Sequence, residues 1–219
     1  DSLEALKPDG IFVYNHDDER VRRVADETRQ QSIGYSRYSQ SHFSASGDII
    51  DYEGNVPAGL KFTLSHLESQ VEVKINQSIG VPHIYSYSAA AAVGSLFGIT
   101  LEQSAVALSD YTPTPGRMRI IKGLKETVIL DDSYNSSPTA SERALSTLKE
   151  IETKGRRIAV LGDMLELGQY SVREHERIGE QAAECVDVLV TVGIRARKIA
   201  ESALESVSYT HLTLPTTYG

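Results

Sequence analysis

The residues best suited to chemistry are Asp131-Asp132-Ser133-Tyr134-Asn135-Ser136-Ser137-Pro138. They set two carboxylates, a phenol and an amide between the apolar run Thr127-Val128-Ile129-Leu130 and a segment with the marks of a helix start. The apolar run reads as a buried strand over 127–130. Beyond it Pro138 suits the first helical position, Ser137 or Thr139 can cap, and Thr139-x-x-Glu142 has capping-box spacing. Ala144, Leu145, Leu148 and Ile151 then give one apolar face, so a helix is expected over 138–151. In open α/β sheets such strand-to-helix turns lie at strand carboxyl ends. There the unpaired N–H groups and positive dipole end of a helix attract phosphates. Asp132 could hold ribose hydroxyls at that place, with Tyr134 and Asn135 facing the rest of a ligand. The local alternative is that the carboxylates cap the helix and fill the turn.

The elements that must position this turn follow from the hydrophobic pattern. After 127–130 and its helix come a strand over 158–161, ending in Gly162-Asp163-Met164-Leu165-Glu166-Leu167-Gly168, and a helix capped by Ser171-x-x-Glu174 and running to about 184. A strand over 186–192 and a helix over 196–204 complete the alternation. Repeated β-α units with short connections predict a parallel sheet with right-handed crossovers. Upstream, Gly10-Ile11-Phe12-Val13-Tyr14 is another buried strand, followed by Asn15-His16-Asp17-Asp18 and a helix over about 19–28. Residues 33–37 form a weaker strand. From 49 to 75 the period becomes two, predicting an antiparallel hairpin turning at Glu68-Ser69-Gln70, with Asn55-Val56-Pro57-Ala58-Gly59 as the loop before it. An alanine-rich helix over 86–97 stops at Gly98, and Thr100-x-x-Gln103 opens the next one, through about 109. Pro113 and Pro115 cannot continue a helix, which places the domain boundary at 112/113.

A chain of 219 residues allows one large or two modest domains. Its net charge of −8 argues against a general nucleic-acid surface and against anionic membranes, while a local anion site remains compatible with it. Cys185 is alone, so no internal disulfide forms and a reducing compartment is expected. The longest nearly apolar stretch, 89–99, contains Gly94, Ser95 and Gly98 and is too short to span a bilayer. No signal-peptide pattern opens the chain. The expectation is a soluble, cytoplasmic protein without membrane insertion or nucleic-acid binding. Leu3 and Leu6 look like the end of a helix begun earlier, and 206–219 breaks the pattern as a non-native or weakly ordered tail.

With these stretches placed, the chain resembles the Mur ligase family, and within it the branch that adds D-alanyl-D-alanine. The matching residues are Asn15-x-Asp17-Asp18, Gly80-x-x-His83, Pro115-Gly116-Arg117-Met118, Asp131-Asp132-Ser133-Tyr134-Asn135, and Leu161-Gly162-Asp163-Met164-x-Glu166-Leu167-Gly168 with His175 following. The resemblance implies an α/β architecture in which 1–112 is the C-terminal part of a central ATPase domain, with a small antiparallel β portion. A truncated Rossmann-like parallel α/β domain follows over 113–205. It also implies an ATP- and Mg²⁺-dependent amide ligase of peptidoglycan precursor synthesis, acting as a monomer. UDP-MurNAc-tripeptide would be joined to D-alanyl-D-alanine through an acyl phosphate.

By the same resemblance Arg117 would meet the phosphates and act in catalysis, and Asp132 would meet the ribose. Tyr134 would sit by the nucleotide or the second substrate, and Asn135 by the second substrate. His83 and Tyr87 would lie on the nucleotide side. Tyr87 stands where the family usually has an adenine-pairing Asn, so it either stacks on the base or simply packs. His83 reads otherwise as a loop histidine, and His175 as a solvated helix residue. The family's phosphate loop and carbamylated lysine are absent from these residues and are expected before Asp1, which would leave the fragment inactive alone. Val192-Gly193-Ile194-Arg195 replaces the Asp-Asn-Pro-Arg of amino-acid-adding relatives. The competing readings are another ligase of the family, such as a folylpolyglutamate synthase, and a noncatalytic nucleotide-binding module.

Overall fold

The computed structural model describes residues 6–206, so Leu3 of the expected helix end and all of the tail beyond Ser206 lie outside it. By contacts the chain divides into two compact units. The first reaches Pro113 and includes Ile120–Val128; the second comprises Thr114–Arg119 and the chain from Ile129 on.

The first unit is a five-stranded mixed sheet with helices against it. Its elements are β1 (Ile11–Asn15), α1 (Glu19–Glu27), β2 (Gln31–Ser36), β3 (Phe43–Glu53), β4 (Val56–His66), β5 (Ser69–Asn76), α2 (Val81–Leu96) and α3 (Leu101–Ser109). The strand order is β1-β2-β3-β4-β5. β1 and β2 are parallel, as the intervening α1 requires, and β3, β4 and β5 form an antiparallel meander. β2 and β3 are parallel too, although only 37–42 joins them. The pairing covers just Tyr35↔Phe43 and Ser36↔Ser44, so the short loop steps back by only the overlap of two strand ends. Alternation along β4 and β5 sends Leu60, Phe62, Leu64, Val73 and Ile75 inward, where they meet Ile84, Ala91 and Ala92 of α2 and Leu101 and Ala105 of α3. Each large side chain so buried contributes on the order of 1.5–3 kcal/mol.

Three boundaries differ by more than two residues from the sequence reading. β3 begins at Phe43, well before 49, because Phe43 and Ala45 already alternate inward between serines. The expected loop over 55–59 is strand from Val56 on: Pro57 sits opposite Tyr52 at a register shift, where a missing N–H costs the ladder little. α2 starts at Val81 with Pro82 in its first turn, so His83 is helical rather than a loop residue.

The second unit holds α4 (Pro138–Glu150), β8 (Ile158–Gly162), α5 (Ser171–Cys185), β9 (Val188–Val192) and α6 (Arg197–Ser206). β8 and β9 are parallel from Ile158↔Val188 to Gly162↔Val192. The helices pack in sequence, α4 on α5 and α5 on α6, around Leu145, Met164, Ile178, Leu189 and Ile199. The remaining strands, β6 (Arg119–Lys122) and β7 (Val128–Asp131), pair with each other in a two-stranded sheet. β7 therefore does not join β8 and β9 by hydrogen bonds as a third parallel strand. Ser171 does not cap α5 either. A 3-10 turn, Gly168–Tyr170, leads into the helix, and Ser171 is already in the α conformation. No helix among the described residues is long and apolar enough to cross a membrane.

Candidate functional site

In the second unit the turn after β7 is built by its own carboxylates. Asp131 Oδ1 accepts from Ser133 N at 3.2 Å and Ser133 Oγ at 2.6 Å, and its Oδ2 accepts from Gly116 N at 2.9 Å. Asp132 Oδ1 accepts from Met118 N at 3.2 Å. Tyr134 N donates back to Gly116 O at 3.2 Å, so the segment through Gly116 is laced to the turn from both sides. The Ser133 hydroxyl bond, with the N–H groups of Gly116 and Ser133 and the nearby Arg119 charge, holds the Asp131 carboxyl below the ordinary carboxylate range despite its partial burial.

Only glycine suits position 116. Its φ is +74°, and a Cβ there would lie 2.8 Å from Tyr134 N and 3.0 Å from Tyr134 Cβ. This closeness brings Arg117 over Tyr134, with the guanidinium carbon 4.2 Å from the ring centroid. Tyr134 is 65 % exposed, and Arg117 and Asn135 are exposed as well. The result is a cation resting on an open aromatic face, bordered by an amide and an acid. Such a surface suits an anionic ligand with a flat or sugar moiety. α4 beyond it is capped by Ser137, whose Oγ accepts from Ala140 N at 3.3 Å. The acids thus fill the turn, and neither caps the helix.

Of the sequence-predicted site residues, Arg117, Asp132, Tyr134 and Asn135 come together here. His83 and Tyr87 belong to the first unit, one turn apart on α2, with ring centroids 6.1 Å apart. Tyr87 is 6 % exposed and its ring also packs with Phe62 and Tyr111. Burial pushes its phenol up.

The sequence reading missed a hub at Asp17. Its Oδ2 accepts from Arg37 N at 2.6 Å, Tyr38 N at 3.1 Å and the Tyr85 hydroxyl at 3.0 Å, and its Oδ1 from Ser39 Oγ at 2.7 Å. Burial raises the Asp17 carboxyl, but these four bonds outweigh it and hold the group below its usual range. Burial and the Asp17 carboxylate together raise Tyr85. Arg37, doubly bonded to Asp48 at 2.9 and 2.8 Å, lies 4.7 Å over the Tyr38 ring. The reading also missed His175, which is fully buried rather than solvated. The signal was present: His175, Ile178, Gly179 and Ala182 share one helical face, and all are buried.

Residues 116–214 match the family Mur ligase, glutamate ligase domain, a match that runs into the expected tail. The UDP-N-acetylmuramoyl-tripeptide--D-alanyl-D-alanine ligase of Bacillus subtilis is 30% identical over 93% of this chain and 42% of its own length. The chain therefore spans less than half of that relative. MurF from Acinetobacter baumannii shares the fold with a TM-score of 0.79 at 23% identity, covering 96% of this chain and 43% of that one. MurF ligase from Thermotoga maritima, solved in complex with ADP, gives 0.75 at 22% identity over 95% of this chain and 50% of that one. The family match over residues 116–214 and the relatives and fold along nearly the whole chain all point to the Mur ligase family.

Proposed function

We propose that this chain is part of an ATP-dependent amide ligase of peptidoglycan precursor synthesis that joins D-alanyl-D-alanine to UDP-MurNAc-tripeptide. The observation that carries the reading is the exposed Arg117–Tyr134 stack on a turn whose two carboxylates fix its backbone. The substrate assignment is supported by the activity for which the Bacillus subtilis relative is named and by Val192-Gly193-Ile194-Arg195 at the end of β9.

The tripeptide carboxylate takes the γ-phosphoryl group of ATP, leaving ADP, and the dipeptide amine then attacks the acyl carbon, loses a proton and expels phosphate to give the amide. The residues of this chain bind and orient. Arg117 offsets phosphate charge, and it does so with little reorganisation because the Tyr134 ring already holds its plane. Asp132 receives ribose hydroxyls. Tyr134 and Asn135 face the nucleotide and the incoming dipeptide. Such transfer depends mainly on positioning and charge neutralisation, which a turn pinned by five hydrogen bonds to Asp131, Asp132 and Gly116 can provide. Mg²⁺ is part of the proposal as counter-ion to the phosphates. Among the described residues no group of three or more His, Cys, Asp or Glu gathers to hold a metal, so none is assigned to it.

The test uses the complete open reading frame that contains this chain. Phosphate release from ATP is measured with UDP-MurNAc-tripeptide and, in turn, D-alanyl-D-alanine, glutamate, lysine and diaminopimelate. Turnover should depend on the dipeptide. A dipeptide carries its carboxylate one residue further from its amine than an amino acid does, and misplacement by about 1 Å costs on the order of a hundredfold. Equal turnover with a free amino acid would refute the substrate assignment.

A further inference from the structure

The 161–168 motif and His175 take no part in the reading above, yet they form a continuous path to the turn. His175 is 0 % exposed. Its Nε2 accepts from Met164 N at 3.1 Å, and its Nδ1 lies 2.6 Å from Ser171 O. A carbonyl can only accept, so Nδ1 carries the proton and Nε2 is left as an acceptor, which fixes one neutral tautomer. Met164, 1 % exposed, follows Asp163, whose Oδ1 accepts from Ala196 N at 2.7 Å ahead of α6. Gly193 makes room for that carboxylate, since a Cβ there would fall 2.3 Å from Oδ1. The loop after β8 is therefore held on one side by α5 and on the other by the start of α6.

The far end of Met164 reaches α4. Its sulfur lies 3.9 Å from Ser141 Oγ, and Ser141 Oγ lies 3.3 Å from Ser136 Oγ, the neighbour of Asn135. We propose that His175 is a positioning residue, which through Met164 and Ser141 sets the turn 131–137 that bears Tyr134 and Asn135. The 161–168 motif is then the middle of a relay from α5 to the site. His175 touches no substrate. It acts by giving a buried N–H its acceptor and so keeping Met164 seated against the first turn of α4. What the turn does for catalysis rests on the ligase reading; the relay itself does not.

The test is nitrogen-15 relaxation and amide exchange on the 219-residue chain, read as the ratio of Tyr134 to the amides of β8 and β9. In His175→Leu, which fills the volume but offers no acceptor, Tyr134 exchange should rise about tenfold relative to those strands, as local opening without global unfolding does. His175→Gln should bring it back to within about threefold, because Oε1 can take the Met164 N–H. Ser141→Ala, which cuts the relay beyond Met164, should loosen the same turn. Wild-type dynamics at 131–137 in Ser141→Ala would overturn the proposal, even where His175→Leu fails to fold. In the complete ligase, His175→Leu should raise KM for the dipeptide about tenfold and leave kcat within about twofold. A fall in kcat alone would overturn the link to substrate positioning, and a protein with no ligase activity would leave the exchange result to decide the relay.

Discussion

Asn15-His16-Asp17-Asp18 and Asp131-Asp132-Ser133 each follow a strand, precede a helix and contain two adjacent carboxylates. In the first, Asp18 caps α1 directly by accepting from Arg20 N and Val21 N, while Asp17 reaches back to the 37–39 loop and to Tyr85. Both carboxylates of that turn, the Asn15 amide oxygen and His16 Nδ1 are spent on structure. In the second, both acids hold the Gly116–Met118 backbone or their own turn, and the cap of α4 falls to Ser137, further along. Ser133, Tyr134, Asn135 and Ser136 lie between acids and cap, and all are exposed. An acid pair at a strand end thus builds a lock when the helix begins at once, and a presenting surface when polar residues intervene.

The strongest way to break this comparison is Asp17→Ala. Losing four hydrogen bonds to a carboxylate should cost about 3 kcal/mol of stability, since such bonds are worth about 1.5–3 each and do not add fully. Urea unfolding of the chain measures it, and a loss below about 1 kcal/mol would show that the loop does not need its lock. Next in size is Gly116→Ala, where positive φ and the approach to Tyr134 together should cost about 2 kcal/mol and displace the Arg117–Tyr134 stack. An unchanged nuclear magnetic resonance spectrum for Tyr134 would mean that the turn does not depend on that approach.

Acid should weaken both regions, the second through Asp131 and the first through two carboxylates. Asp17 is held low by its hydrogen bonds against the opposing effect of burial, and Asp51 by its bonds to Lys61 and Lys74 at 2.5 and 2.9 Å; both lie in the first unit. A carboxyl lowered on folding contributes stability that is fully present above its unfolded value of about 3.9 and is lost as pH falls through the lower folded value. The first unit should therefore weaken below about pH 4, and Asp17→Asn should flatten that decline. An equally steep decline in the variant would detach Asp17 from the acid response.

Much of this was legible in the sequence because it was local. The period of two over Leu60, Phe62 and Leu64, the Thr100–Gln103 capping box and the strand–acid–helix turn at 131–137 all depend on neighbours within a few residues. Asp17 was not legible as a hub, because its partners lie 20 to 68 positions away and two of the four are backbone N–H groups, which no residue type announces. The pairing of β7 with β6 was hidden for a related reason: the pattern of apolar residues marks a strand, and says neither beside which neighbour it lies nor that Ile129 is left exposed. His175 was readable from its helical spacing, but polarity was weighed above position.

The finest discrimination between a lock and a presenting surface comes from Asp18→Ala and Asp132→Ala, the substitutions expected to disturb the fold least. Asp18 is exposed and its removal strips a helix cap, which should cost about 1 kcal/mol and leave nucleotide dependence unchanged. Asp132→Ala gives up the bond that Met118 N donates at 3.2 Å, a part-buried contact whose loss should cost about 1 kcal/mol. Its effect should appear instead in the complete ligase. A carboxylate accepting ribose hydroxyls contributes about 1.5–3 kcal/mol, so KM for ATP should rise about tenfold to a hundredfold. Asp132→Asn keeps an acceptor for Met118 N and loses the charge. If the acid serves a ligand, the asparagine variant should have wild-type stability and a raised KM; if it serves only the turn, both variants should bind ATP as the wild type does, and Asp132 would join Asp18 as a structural residue.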